Sequence, residues 1–366
     1  MKIAINALPY VRWSGIETFL HGLLASWPLR PDDEVVIFAN QISAEFFRDL
    51  PPAIKIRIKE FKKPSRLNLF LYQQFGLPKI LRREGFNLLF CASLIAPLFY
   101  RQKIITIHDA APFVLKAENS LAGKLFWRLN LFFGKLTSLK IMTVSEFSRQ
   151  ELIKHLDIRS EKLEIIYNGS PVWNPNEITF SKLSFQNQPY IIALGNARPR
   201  KNLPILIGAF NKLAEDFPDL RLIIIGKKDE RMDEIAAAYG NNGKLLFTGF
   251  ISESDKINAI KGAGALIFPS LYEGFGLPIV EANILETPVI CSDIPAFREV
   301  AADAALFFDP KNEDDIILKI KTLLNSQTLA ADLKTKGRTN AQRFSWEASA
   351  LKLSEIIHRY ETPANK

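Results

Sequence analysis

Short apolar runs alternate with longer segments of helical period along the whole chain, a pattern that predicts parallel sheets covered by helices. In the first half the strand-like runs are Lys2–Asn6, Glu34–Ala39, Asn87–Ala92, Lys103–His108 and Lys140–Val144. In the second they are Tyr190–Leu194, Arg221–Ile225, Lys244–Thr248, Ala265–Pro269, Pro288–Cys291 and Ala305–Phe308. Between the two sets, YNGSPVWNPN (Tyr167 to Asn176) is a run of turn formers with neither period, and it reads as a domain connection. The expected organisation is therefore a first Rossmann-like domain at 1–172, a linker at 173–189, a second Rossmann-like domain at 190–344 and a terminal helix at 345–366. Ser345 is placed to cap that helix, which is expected to pack back toward the first domain. Open α/β domains joined in this way would face each other across a cleft at the carboxyl ends of their strands, where such folds bind ligands.

One helical segment stands apart. Over Leu121–Lys140, Leu125, Leu129, Phe132 and Leu136 share one face while Lys124, Arg128 and Lys135 share another. It reads either as an interfacial helix for contact with an anionic membrane and a lipid-linked acceptor, or as a surface helix packing on its own sheet. Charge placement bears on this. Residues 1–180 hold 24 Lys and Arg against 16 Asp and Glu, and the remainder hold 23 of each, so the net charge of +8 belongs to the first half. An acidic acceptor, an anionic surface or plain solubility would each account for it. The basic residues are scattered without interleaved aromatics, which argues against nucleic acid.

With 366 residues, 48% of them hydrophobic, the chain can bury two cores, and its composition excludes the disordered and collagen-like classes. No stretch of 18 apolar residues occurs, and the opening MKIAINALPY reads as a strand rather than a signal peptide. Cys91 and Cys291 sit in apolar surroundings without metal-ligand spacing and read as core thiols. A cytoplasmic protein is expected, with peripheral contact at the inner face of the membrane as the variant of that reading.

The stretch SLYEGFGLPIVEA (Ser270 to Ala282) carries the most chemistry. A strand ends at Pro269, a double-glycine loop follows, and a helix opens near Pro278, a residue favoured in a first turn. Backbone N–H groups at such a start, with Gly274 and Gly276 permitting close approach, make a cradle for phosphate. Glu273 on the loop and Glu281 one turn inside the helix are acceptors suited to sugar and ribose hydroxyls. Upstream, the strand Tyr190–Leu194 runs into GNARPRKN, whose Arg198, Arg200 and Lys201 lie where a diphosphate would sit. No P-loop and no dinucleotide fingerprint is present. In the first half, His108 with Asp109 closes a buried strand, SGIE (Ser14 to Glu17) opens a helix, and VSEFS (Val144 to Ser148) has the form of a capping motif.

Read together, these residues resemble glycosyltransferase family 4, retaining enzymes of the GT-B fold. The resemblance rests on SLYEGFGLPIVEA, supported by TIHD (Thr106 to Asp109), VSEFSRQEL (Val144 to Leu152), IIYNG (Ile165 to Gly169), RPRKN (Arg198 to Asn202), FTGF (Phe247 to Phe250) and TPVICSDIPAFREVAADAALFFDP (Thr287 to Pro310). It implies that Glu281 holds the ribose hydroxyls and that Glu273 faces the transferred sugar. It further implies that Lys201 and the backbone of Gly274, Phe275 and Gly276 hold the diphosphate, with Arg198 or Arg200 as the second cation. Phe250 and Ile251 would meet the base, His108 the donor sugar, and Gly15 the phosphates. Asn196 stands where the family often has arginine, and Ser14 where it often has glycine.

No D-x-D occurs, so the usual carboxylate pair for a divalent metal is missing, and the lysine, an arginine and helix-start amides would stabilise the leaving diphosphate. The resemblance thus implies a metal-independent hexosyltransferase, without a cofactor, that retains configuration. Its partners would be a nucleotide sugar and a saccharide or lipid-linked saccharide acceptor in cell-surface polysaccharide biosynthesis. The TIHD, RPRKN and SDIPAFREV versions are similar to those of bacterial polysaccharide mannosyltransferases, which points to GDP-mannose. A non-catalytic nucleotide-binding module of the same fold is the alternative.

Overall fold

The structure, a computed structural model, describes residues 1–10, 15–61, 65–115, 121–170, 185, 187–227, 229–239 and 243–361. Most of the expected linker, together with Ser14, lies outside the described residues. The chain forms two compact units, Met1–Gly169 with Ser345–Lys366, and Ser170–Phe344.

Unit 1 begins β1 (Lys2–Asn6), α1 (Gly15–Ala25), β2 (Glu34–Asn40), β3 (Lys55–Lys59), α2 (Arg66–Leu71) and α3 (Leu77–Arg83). It continues β4 (Leu88–Cys91), β5 (Lys103–Thr106), α4 (Ala111–Val114), α5 (Leu121–Thr137), β6 (Lys140–Thr143), α6 (Glu146–Leu156) and β7 (Leu163–Ile165). Its sheet has the order β3-β2-β1-β4-β5-β6-β7, every pair parallel. Unit 2 contains β8 (Tyr190–Leu194), α7 (Leu203–Asp216), β9 (Arg221–Ile225), α8 (Glu230–Tyr239), β10 (Leu245–Gly249), α9 (Glu253–Lys261) and β11 (Leu266–Phe268). It closes with α10 (Leu277–Ile284), β12 (Val289–Ser292), α11 (Pro295–Ala301), β13 (Ala305–Phe308), α12 (Glu313–Leu324) and α13 (Gln327–Ala341). Its order is β10-β9-β8-β11-β12-β13, again all parallel. The last helix, α14 (Trp346–His358), belongs to unit 1.

The central strands are apolar on both faces, as parallel strands between two helix layers must be. Residues Ile3, Ile5, Leu89, Ile105, Ile192 and Ile267 are fully buried. Two strands escaped the sequence pattern, and both are sheet edges. β3 alternates as KIRIK with Lys55, Arg57 and Lys59 outward, and β7 has only three residues; a charged or very short strand is how an edge avoids pairing with another chain. Cys91 and Cys291 are free and buried, one in each sheet, and burial pushes the Cys91 thiol up to about 12.

Side-chain caps begin several helices. The hydroxyls of Ser145, Ser252 and Ser345 accept from the backbone N–H three residues on, each contributing about 1 kcal/mol. α14 lies on α1 because Gly22 and Gly169 leave room for the Trp346 ring: a Cβ added at Gly22 would lie 2.3 Å from it. His358 Nε2 also reaches Asp33 Oδ1 at 3.1 Å.

α5 inverts the ordinary arrangement of an amphipathic helix. It lies on its own sheet through Asn130, Gly134 and Thr137, with Gly134 against Ile105 and Leu94 and with Trp127 and Leu131 packed partly buried against the core. Leu125, Leu129, Phe132 and Leu136, the residues expected to face a core if the helix packed in the usual way, are exposed. Among the described residues no helix is long and apolar enough to cross a membrane.

The carboxyl ends of β8 and β9 approach each other closely. Gly195 N–H donates to the Ile225 carbonyl at 2.9 Å, and a Cβ built on Gly226 would sit 1.6 Å from the Gly195 carbonyl oxygen. No rotamer change relieves contact with a backbone atom. Gly226→Ala is therefore expected to destabilise unit 2 by about 3 kcal/mol or more, read as a lowered melting temperature; melting at the wild-type temperature would refute this packing.

Candidate functional site

In unit 2, β8 is the strand from which the sheet order runs outward both ways, to β9 and β10 on one side and to β11, β12 and β13 on the other. Loops leaving β8 and β11 in opposite senses open a crevice at their carboxyl ends. The loop after β8 holds Arg198, Arg200 and Lys201, and the loop after β11 holds Ser270 and Glu273.

Several bonds stitch these loops together. Leu271 N–H donates to the Arg200 carbonyl at 2.8 Å. Asn202, in the left-handed conformation that asparagine tolerates, donates through Nδ2 to the carbonyls of Pro269 (3.1 Å) and Pro310 (2.7 Å). Glu273 is the centre of the arrangement. Lys201 Nζ lies 2.6 Å from its Oε1, Arg200 Nη1 2.9 Å from its Oε2, and Ser270 Oγ donates to Oε1 at 2.8 Å. Arg200 Nη1 also reaches the Tyr272 carbonyl at 3.2 Å, and Lys201 Nζ stands 5.2 Å from the centre of the Phe268 ring. Burial alone would raise the Glu273 pKa. The charges of Lys201 and Arg200, with the bonds from Lys201 and Ser270, overcome it and hold the carboxyl below its ordinary range.

The following turn leads into α10. Its N-cap, Gly276, has φ 113°, and a Cβ there would also stand 3.0 Å from the Phe297 ring. Glycine is thus required by conformation and by space. Pro278 occupies the first turn of α10, and Phe275 is buried with its ring edge-on to Phe344 at 5.4 Å. Glu281, one turn into α10 and buried, receives Lys256 Nζ from α9 at 3.0 Å. Lys256 also meets Glu253 at 2.8 Å. Burial pushes the Lys256 pKa down, and the two glutamates more than offset it, so the ammonium is held above its ordinary range. Phe250 and Ile251 follow β10, immediately before α9; the Phe250 side chain is 76% exposed.

Of the predicted residues, the structure brings Glu273, Lys201 and Arg200 into contact and sets Gly274, Phe275 and Gly276 directly after them. Arg198 is exposed and its side chain is not part of that cluster; its N–H donates to Asn196 Oδ1 at 3.2 Å. Ser270, Asn202 and Lys256 were missed. Asn202 carried a signal, an asparagine just before a Leu-Pro helix start. Ser270 and Lys256 looked like ordinary loop and helix residues until the sheet order set them beside Glu273 and Glu281.

In unit 1, His108 follows β5 and its Nε2 donates to the Ala92 carbonyl, beyond β4, at 2.8 Å. Its ring meets Phe19 edge-on at 5.0 Å. Burial lowers its pKa, more than the Ala92 bond and Asp109 raise it, so the imidazole is neutral at pH 7 with Nδ1 as the acceptor nitrogen. Gly15 begins α1, exposed, and a Cβ there would meet nothing within 4 Å, so packing alone does not demand glycine. Among the described residues no group of three or more His, Cys, Asp or Glu could hold a metal ion.

Two all-parallel units, the second with paired cations and carboxylates at its switch point, are the architecture of the GT-B glycosyltransferases. Residues 13–172 match the model for Glycosyltransferase Family 4, and residues 175–340 match that for glycosyl transferases group 1; the chain belongs to this family. It is 28% identical over 80% of its length, and 82% of the relative's, to the O-antigen chain mannosyltransferase RfbU of Salmonella typhimurium. It is 28% identical to O-antigen chain mannosyltransferase B of Escherichia coli over 69% of this chain and 70% of that one. The Anabaena protein HepE, crystallised in complex with UDP-glucose, shares the fold with a TM-score of 0.76 at 17% identity, over 98% of this chain and 100% of that one.

The Glu273 cluster makes a pH-dependent contribution to stability. A depressed folded-state pKa stabilises above the unfolded value, and the gain is lost as pH falls through the folded one. Glu273→Gln, which leaves two partly buried cations without their carboxylate, is expected to cost about 3 kcal/mol at pH 7. In urea titrations the gap to wild type should close below the usual carboxylate range. A gap that stays constant on acidification would show that the ion cluster is not its source.

Proposed function

We propose that this glycosyltransferase moves mannose from GDP-mannose to a glycan or lipid-linked saccharide in cell-surface polysaccharide biosynthesis, with retention and without a divalent metal. One observation carries the reading: a buried carboxylate holds a lysine and an arginine side by side at the mouth of the switch-point crevice, directly before a glycine turn and a helix start. That is a site for a diphosphate leaving group.

The bond between the anomeric carbon and the diphosphate oxygen breaks, and its electron pair stays on that oxygen. The acceptor hydroxyl oxygen bonds to the anomeric carbon from the same face, and its proton passes to the departing diphosphate. Lys201 and Arg200 stabilise the developing charge, assisted by the backbone at Gly274, Phe275 and Gly276. Of the two arginines left open by the sequence, the ion pair with Glu273 favours Arg200 over Arg198. Glu273 spends most of its acceptor capacity on the cations and Ser270, so it positions them and offers the transferred sugar what capacity remains on Oε2. Glu281, steadied by Lys256, takes the ribose hydroxyls, and main chain near Phe250 and Ile251 meets the base. His108 presents a neutral imidazole, suited to a sugar hydroxyl. The O-antigen relatives, both mannosyltransferases, support mannose; the UDP-glucose complex belongs to a neighbour at 17% identity, and the fold is all it shares.

A thermal-shift panel of nucleotide sugars followed by donor-hydrolysis and transfer assays tests this. GDP-mannose should give the largest shift and turn over in EDTA; preference for a UDP-sugar would overturn the donor, and strict dependence on added metal the metal-free chemistry. Lys201→Ala is expected to lower kcat by about 10²–10³-fold at temperatures where the variant, with a lowered melting temperature because Glu273 loses a partner, is still folded. Glu281→Ala should weaken donor binding by about 10–100-fold, the value of a charged hydrogen bond. Wild-type kinetics in both variants would end this assignment.

A further inference from the structure

Among the described residues, the surface of unit 1 carries an apolar patch of exposed leucines and phenylalanines. On α5, at 100° per residue, Leu121, Leu125, Leu129, Phe132 and Leu136 fall within about 80° of arc, opposite the buried Asn130, Gly134 and Thr137. Phe132 and Leu125 are each 60% exposed. The patch extends beyond the helix: Leu67, Leu71 and Phe75, along and after α2, and Phe99, between β4 and β5, are also exposed. Ring contacts join these parts. Phe70 meets Phe126 at 6.1 Å and Phe99 meets Phe133 at 5.0 Å. Gln74 fixes the turn after α2 to the β4–β5 connection, donating to the Ala96 carbonyl at 3.1 Å and accepting from Leu98 N–H at 2.7 Å. The surface is therefore continuous and supported from beneath, and contiguous apolar area of this kind marks an interaction site.

Charge selects the occupant. Residues 61–145 carry 13 Lys and Arg, of which Lys103 is buried and Lys140 is paired with Glu164, against three acidic residues, Glu84, Asp109 and Glu118. Glu84 is already paired with Arg57 and Arg83. On α5 itself Lys124 and Arg128 flank one edge of the apolar stripe, Lys135 in line with them bonds the Leu156 carbonyl at 2.8 Å and stands 3.6 Å from Asp157, and the helix has no acidic residue. Long cationic side chains beside an apolar stripe can keep their heads in an anionic layer while their stems lie along the hydrocarbon. A second copy of this chain would bring the same α5, with no acidic residue to meet these cations, whereas lipid phosphates pair with them.

We propose that this face of unit 1, formed by α2 and the turn after it, Phe99 and the outer side of α5, docks on an anionic phospholipid bilayer. The leucines and phenylalanines enter the interface and the flanking lysines and arginines take the lipid phosphates. The surface uses none of the residues assigned to the nucleotide sugar.

Co-sedimentation of the full chain with vesicles tests it, comparing phosphatidylcholine alone with a mixture containing about one third phosphatidylglycerol; partition into the anionic vesicles should be at least about tenfold stronger and should fall with salt. Leu125→Ser with Phe132→Ser, and separately Lys124→Glu with Arg128→Glu, should each reduce binding about tenfold or more while leaving the melting temperature and the GDP-induced thermal shift intact. Absence of binding to either vesicle overturns the proposal, as does equal binding by the charge variant. So does a dimer in sedimentation velocity that the Leu125/Phe132 variant dissociates.

Discussion

A buried carboxylate shared between two cations holds together the part of the molecule where chemistry is concentrated. Glu273 is separated from Lys201 by 72 positions in sequence, and parallel-sheet order alone makes them neighbours. Removing three charges from water costs several kcal/mol per ion, and an ion pair at about 4 Å returns roughly 4 kcal/mol at an effective dielectric near 20. On those terms the cluster is a poor source of stability compared with apolar residues of similar volume. What it supplies is placement. The net charge of the three groups is positive, the cations cannot drift apart, and the carboxylate that fixes them is ionised at neutral pH. An anion entering the crevice meets donors already aimed, and little reorganisation remains to be done when charge develops on a leaving oxygen.

The second carboxylate works by the same logic with the signs exchanged. Glu281 sits inside α10, where an unpaired buried charge would be costly, and Lys256 from the neighbouring helix compensates it while itself being compensated by Glu253. The two clusters sit at either side of the Gly276 turn, whose backbone conformation only glycine adopts without strain. Backbone approach elsewhere on the sheet follows from glycine too: Gly226 lets β9 end against the Gly195 carbonyl, which fixes where the cationic loop departs.

How much of this was legible in the sequence depended on range. The double-glycine turn, its flanking glutamates and the RPRKN cations are local features, and periodicity located the central strands because they are apolar on both faces. β3 and β7 were not legible, since one is charged at every other position and the other has three residues, two ways of protecting an edge that remove the apolar signal, whereas the edges β10 and β13 kept it. Ser270, Lys256 and the choice of Arg200 over Arg198 at Glu273 depend on which loops the sheet order brings together. Nothing in a window of sequence distinguishes a serine that donates to a buried carboxylate from one in any turn.

The orientation of α5 shows a deeper limit. Amphipathic period says that a helix has two faces; which face goes inward is decided by the surface it meets. Here the sheet side offers Ile105 and Leu94 close to the helix axis, and only a face with Gly134 lets the backbone approach that near. Trp127 and Leu131 pack beside that approach, while Leu125, Leu129, Phe132 and Leu136 are left on the outer side. An apolar patch edged by charge of one sign is disfavoured against like-charged surfaces and favoured against phosphate-bearing ones, so the proposed occupant follows from the charge pattern around the helix and not from the apolar stripe alone.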